Sequence, residues 1–125
     1  MECILPPTLV SAHWARRLTT GFLTGARAPE AAARQADEAA LIVSELVTNA
    51  VRHGRGRCRL RITAQAGDLT VEVHDHGEGT PRRQRADAER EGGRGMALVH
   101  HLARRLQTTP HPRGGKTVRA VLALG

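Results

Sequence analysis

Apolar residues change their period several times along the chain, and each change marks an element. Trp14, Leu18 and Phe22 recur at i, i+4 and i+8, and Ser11 ahead of them is a good N-cap. That predicts a helix from Ser11 to Gly25. Pro29 suits the first turn of a second helix, whose Ala-rich stretch runs to about His53 before Gly54 and Gly56 stop it. The period then falls to two. Cys58, Leu60, Ile62 and Ala64 point one way and Arg59, Arg61 and Thr63 the other, as in a half-buried strand. Ala66-Gly67-Asp68 reads as a hairpin turn, and Leu69, Val71 and Val73 form the core face of the return strand. The same alternation carries Asp75 onto that face. Thr80–Arg90 is a polar, Arg-rich loop. Met96, Val99 and Leu102 share a stripe that predicts a third helix from Met96 to Leu106. Pro110–Gly115 turns the chain into a last strand over Thr117–Leu124, and Met1–Val10 is a lead-in with room for an edge strand.

This layout predicts an α+β fold, a two-layer sandwich with helices on one face of a mostly antiparallel mixed sheet. At 125 residues the chain is expected to be one domain, 1–125, with a single core. Trp14 and Phe22 are its only aromatic side chains, so that core has to be built from Leu, Val, Ile and Ala.

The net charge of +7 raises the question of nucleic acid, but the arginines are scattered and have no aromatic interleaving for base stacking. No direct nucleic-acid partner is expected. Cys3 and Cys58 lack metal-ligand spacing and no secretory signal precedes them, which fits a reduced, cytoplasmic protein. No apolar run approaches the ~20 residues of a membrane span, and no membrane partner is expected.

Candidate chemistry gathers in three clusters. Glu45 and Asn49 are one helical turn apart with His53 a turn further, all on one face. Leu46, Val47, Ala50 and Val51 around them put that face at the border of the core. Two readings fit: a solvated helix face, or a carboxylate and an amide oxygen serving as base and as ligand to a hard cation. Asp75, on the core side of its strand, needs a donor to offset desolvation. Either the exocyclic amino group of adenine or a local turn onto the Gly77 backbone supplies one. Gly77 and Gly79 follow at the strand's end. Gly92, Gly93 and Gly95, with Arg94 among them, precede a helix, where open N–H groups and the helix dipole form an anion site; plain loop punctuation explains the glycines equally well. Gly114-Gly115-Lys116-Thr117 resembles the tail of a P-loop, but Pro110 stands where the first glycine is required and a strand follows it. The histidine pairs lack the remaining ligands of a structural zinc site.

In order and spacing, Val43-Ser44-Glu45-Leu46-Val47-Thr48-Asn49-Ala50-Val51-Arg52-His53-Gly54, Asp75-His76-Gly77-Glu78-Gly79 and Gly92-Gly93-Arg94-Gly95-Met96-Ala97-Leu98-Val99 resemble the N, G1 and G2 boxes of the GHKL ATPase/kinase superfamily. More closely, the chain resembles the small stand-alone ATP-binding regulators of actinobacteria, relatives of anti-sigma-factor serine kinases. Gly114-Gly115-Lys116-Thr117 before the last strand matches as well. The resemblance implies ATP and Mg²⁺ as ligands. It implies Glu45 as catalytic base, Asn49 as ligand to the Mg²⁺ bridging the phosphates, and Asp75 as acceptor for the adenine amino group with Thr117 close to that network. Gly77 and Gly79 would flank the adenine, and Gly93 and Gly95 would lie along the triphosphate. His53, Arg94 and Met96, inside the matching phrases, join them as nucleotide contacts, and 80–91 becomes the ATP lid. The implied activity is protein serine/threonine kinase, acting on an anti-anti-sigma (STAS) protein, together with sequestration of a sigma factor and possible homodimerisation. A catalytically silent ATP-binding interaction module is the alternative.

Overall fold

The computed structural model describes residues 1–76 and 93–124. In chain order the elements are β1 (Glu2–Leu5), α1 (Val10–Leu23), a 3-10 segment (Glu30–Gln35), α2 (Ala36–His53), β2 (Cys58–Gln65), β3 (Asp68–Asp75), α3 (Gly93–Leu102), β4 (Arg105–Pro110) and β5 (Lys116–Ala123). The five strands form one sheet in the order β1-β2-β3-β5-β4. Every pairing is antiparallel, in line with the mostly antiparallel sheet expected and with no parallel pair among the described strands. The α+β sandwich itself is as predicted.

The core follows from two periodicities that meet. Leu60 and Ile62 of β2, Leu69, Val71 and Val73 of β3, and Val118 and Ala120 of β5 alternate onto one sheet face, and all are buried. Against them α2 lays Ala39, Ile42, Val43, Leu46, Val47 and Ala50, spaced by three and four. Asp37 and Glu38 in its first turn and Arg52 and His53 in its last complement the helix dipole. Beyond the sheet, α2 touches both α1 and α3, so it is confined on three sides.

Between β2 and β3 a two-residue turn closes the hairpin with Ala66 at φ 54° and Gly67 at φ 79°. Positive φ at both central residues is the turn whose twist matches that of the flanking strands. The opposite sheet face is polar and carries Arg59, Arg61, Glu72, His74, Thr117 and Arg119. No described helix is long and apolar enough to cross a membrane.

Four local expectations change. Ser11 does not cap α1; the helix begins at Val10, and the buried Ser11 hydroxyl donates to the Pro6 carbonyl at 2.6 Å. The Trp14 and Leu18 stripe that announces α1 is 53% and 43% exposed, because the packed face is the smaller row Ser11, Ala12, Ala15, Thr19 and Leu23. After Pro29 the chain makes a 3-10 segment before α2 begins at Ala36. Finally, α3 ends at Leu102, and Leu106 belongs to the edge strand β4. Only Leu106 of that strand is even partly buried, so no alternation of period two marks it in the sequence.

His74 gives the polar face a pH dependence. Its ring stands 4.7 Å, centre to centre, from both His76 and His111, and Arg59 is its partner in the β2–β3 register. Burial, followed by the repulsion of His111, His76 and Arg59, lowers its pKa from the ordinary 6.5. Because the unfolded chain takes up this proton first, the His74 contribution is intact above the ordinary imidazole range and declines as pH falls through it. Thermal melts from about pH 7.5 to about pH 5.5 should show a Tm that drops with acidification. His74→Asn should give a shallower drop; an unchanged slope would assign the effect to other groups.

Candidate functional site

The polar row of α2 is half-buried and borders α3. Glu45, Asn49 and His53 line one small cavity together with Thr48, Arg52 and Met96. Its volume is about 20 Å³, room for roughly one water molecule. Sequence spacing anticipates Glu45, Asn49 and His53 on one face, and the fold brings Met96 to them from α3. Thr48 and Arg52 are additions. They lie three residues after Glu45 and Asn49, a neighbouring row on the same helix, so the i+3 relation was the available signal.

Gly95 lies in the first turn of α3, directly against the Glu45 carboxylate; a methyl group there would collide with Glu45 Oε2. The carboxylate therefore sits at a helix N-terminus, where unpaired N–H groups and the dipole favour negative charge. Gly93 opens the same helix. Expectations for Gly77, Gly79, the 80–91 lid and the Arg94 side chain lie outside the described residues.

Asp75 ends β3 and is 2% exposed. Sequence reasoning offered two donors for it, an adenine amino group or the Gly77 backbone. A third is present: Lys116 Nζ donates to Asp75 Oδ2 at 2.9 Å. The β3–β5 register sets these two residues directly opposite each other, so both side chains leave the sheet on the helix-covered face. Gly54, just past α2, packs on the same aspartate. A Cβ on it would stand 3.0 Å from Asp75 Cβ and 2.5 Å from the Ala50 carbonyl oxygen. Gly115 has φ +84° and presses on the Asp75 carbonyl, a second position with no room for a side chain. Through Gly54 the carboxylate is tied to the helix end that carries Asn49 and His53.

Thr117 is not part of this network. One residue along β5 from Lys116, it faces the other side of the sheet, with its hydroxyl 2.7 Å from His111 Nε2 and 3.1 Å from His74 Nδ1. Strict alternation along a strand is the reason: if Lys116 meets Asp75, Thr117 has to point away. Nearby Cys58 is 3% exposed, and burial followed by the Asp75 charge pushes its thiol up to about 11. It is an inert core residue, not a nucleophile.

Among the described residues no group of three or more His, Cys, Asp and Glu side chains could hold a metal ion. Glu45 and Asn49 instead provide one carboxylate and one amide oxygen. Such a sparse, hard donor set fits Mg²⁺, which keeps most of its waters and takes further oxygens from phosphates.

Residues 5–122 match the family of the histidine kinase-like ATPase domain. The chain belongs to this family. Its fold agrees with two solved structures from Erythrobacter litoralis EL346. A blue-light activated histidine kinase is 32% identical over 74% of this chain, with a TM-score of 0.57. The histidine kinase domain of the blue-light activated enzyme is 26% identical over 95% of this chain, with a TM-score of 0.55. The chain spans 31% and 61% of the lengths of those two proteins. No curated protein sequence matches it. It is thus a GHKL-type, kinase-like ATP-binding domain.

The two site glycines make opposite predictions in this ATPase domain. A methyl at Gly95 meets only the end of a flexible Glu45 side chain, and Ala gains about 1 kcal/mol over Gly in a helix. Gly95→Ala should leave Tm nearly unchanged while turning the Glu45 carboxylate out of its place, visible as a changed Glu45 rotamer in a crystal structure of the variant. A methyl at Gly54 meets backbone and a buried aspartate, so Gly54→Ala should destabilise by about 1–3 kcal/mol. Equal melting curves for the two variants would contradict this geometry.

Proposed function

We propose that the protein binds Mg·ATP and transfers the γ-phosphoryl group to a serine or threonine hydroxyl of an anti-anti-sigma (STAS) protein, sequestering a sigma factor as the other half of the switch. The reading rests on one observation above all: Glu45, Asn49 and His53 line the same cavity, with the Glu45 carboxylate at the N-terminal turn of α3. In this reading Asp75 accepts a hydrogen bond from the base. Asn49 would supply an oxygen to Mg²⁺, and the ion would neutralise phosphate charge. The α3 N-terminus with Gly93 and Gly95 faces the phosphates, and the exposed Arg52 adds a positive charge beside them. Glu45 accepts the proton of the attacking hydroxyl as its oxygen bonds to the γ-phosphorus; the bond to the β,γ-bridging oxygen breaks and ADP leaves. Positioning and charge neutralisation supply most of the rate. A cytoplasmic setting belongs to the same reading.

A catalytically silent ATP-binding module is the second reading. The exposed apolar row Leu9, Val10, Trp14 and Leu18 on and beside α1, 43–59% exposed, is compatible with it and with the first reading alike. Such a surface suits a protein partner, homodimerisation included, whether or not phosphate is transferred.

Calorimetric titration with ATP, with and without Mg²⁺, tests the site. Asp75→Asn should weaken binding at least about tenfold, and Asn49→Ala should remove the Mg²⁺ dependence. A folded wild type that binds no nucleotide overturns the proposal. Glu45→Gln should lower transfer by about 10²–10⁴-fold and leave ATP affinity within about threefold. Acid treatment of the labelled partner then separates the acceptors: a phosphoserine or phosphothreonine survives, whereas the phosphohistidine suggested by the names of the two Erythrobacter proteins does not. Transfer that is undetectable with every candidate partner favours the silent module.

A further inference from the structure

Lys116 is the only lysine in the chain, and it is buried, 8% exposed, with Nζ 2.9 Å from Asp75 Oδ2. Gly54 and Gly115 crowd the same aspartate from α2 and from the β4–β5 turn, so the pair is held in a close-packed setting. Withdrawing two charges from water is expensive, and apolar replacements of similar volume are often no less stable. Stability is therefore a weak reason for a buried lysine here. Ligand recognition is a better one.

A carboxylate by itself offers only acceptors. Opposite a purine it favours an amino group at position 6 and repels a carbonyl there, because two acceptors would face each other without a proton between them. An ammonium beside it changes that selectivity. Lys116 has three donors, and its contact with Oδ2 uses one. Side by side, the two residues present an acceptor and donors to whatever lies against the carboxylate. Adenine shows a donor at position 6 and an acceptor at position 1. Hypoxanthine and guanine show the reverse, an acceptor at position 6 and a donor at position 1. The Asp75–Lys116 pair satisfies the 6-position in either arrangement.

Resting on the reading of Asp75 as the base acceptor, we infer that Lys116 is a base-contacting specificity residue that opens the site to 6-oxopurine nucleotides as well as to ATP. With adenine, Asp75 accepts from the 6-amino group and Lys116 stays on the carboxylate. With a 6-oxopurine, Lys116 donates to O6 and Asp75 accepts from N1–H.

The test is equilibrium titration of the whole chain with the Mg²⁺ complexes of ATP, ITP and GTP, for wild type, Lys116→Met and Lys116→Arg. ITP is included because it differs from ATP at the 6-position and its neighbouring ring nitrogen and lacks the 2-amino group of GTP. Wild type should bind ITP within about tenfold of ATP. Lys116→Met should weaken ITP and GTP at least about tenfold more than ATP, while Lys116→Arg, which keeps donors, should preserve ITP binding. A purely structural lysine would shift affinity for all three nucleotides together. An ATP-to-ITP ratio that is the same in wild type and Lys116→Met overturns the inference. So does a wild type that binds ATP and rejects ITP and GTP by more than about a hundredfold, and that ratio decides even if Lys116→Met fails to fold. A folded wild type that binds no nucleotide instead overturns the ATP-site reading itself, a different result from either.

Discussion

Burial of α2 between the sheet, α1 and α3 takes Ile42, Val43, Leu46 and Val47 out of water, and each such side chain contributes about 1.5–3 kcal/mol when fully buried. The helix can meet that demand in only one rotation about its axis. With the apolar row turned to the sheet, Glu45, Asn49 and His53 have to face α3, and the helix end has to bring Gly54 onto Asp75. The site is thus a consequence of core packing: the hydrophobic face sets the position and the polar row inherits it. The glycines at 54 and 95 are the complementary constraint, since each leaves out a side chain where two elements approach most closely.

Electrostatics within this frame divides between the two ends of α2's polar row. Toward its start, Glu45 lies against the first turn of α3, where a helix dipole and open N–H groups favour an anion, whether that anion is the carboxylate or a phosphate near it. At its end, Asp75 is desolvated and already engaged by an ammonium. The two carboxylates therefore have different environments. One, Glu45, is partly exposed. The other, Asp75, is buried and paired with Lys116. The polar sheet face holds a third group, the His74, His76, His111 and Thr117 cluster, which is separated from Asp75 by the sheet itself.

How much was legible depended on whether the determining contact was local. Period-two alternation over 58–64 and 69–75 identified β2 and β3 and carried Asp75 to the core face, because strand geometry depends only on position parity. The row Glu45, Asn49, His53 was equally plain, because helix geometry fixes which residues share a face. Edge strand β4 was not legible: an exposed edge has no reason to alternate, and Leu106 continued the apolar stripe of the preceding helix. The stripe of Trp14 and Leu18 revealed α1 correctly yet lay outside its packed face, since the close helix–helix contact with α2 selected the smaller Ala12 and Ala15.

Within the chain itself, the patterning was enough to settle fold class, element order for the long periodic segments, and the three clusters that mark a GHKL-type domain. These are properties of residue type and short-range spacing. Register and three-dimensional approach were not available from them. Which of Lys116 and Thr117 meets Asp75 turns on a single residue of β3–β5 register, and a slip of one exchanges the two faces. The reach of Gly95 to Glu45 and of Gly54 to Asp75 likewise joins segments distant in sequence, 50 and 21 residues apart (95 − 45 and 75 − 54). No local propensity encodes such contacts; they exist only once the apolar faces have packed and the polar residues have been carried along.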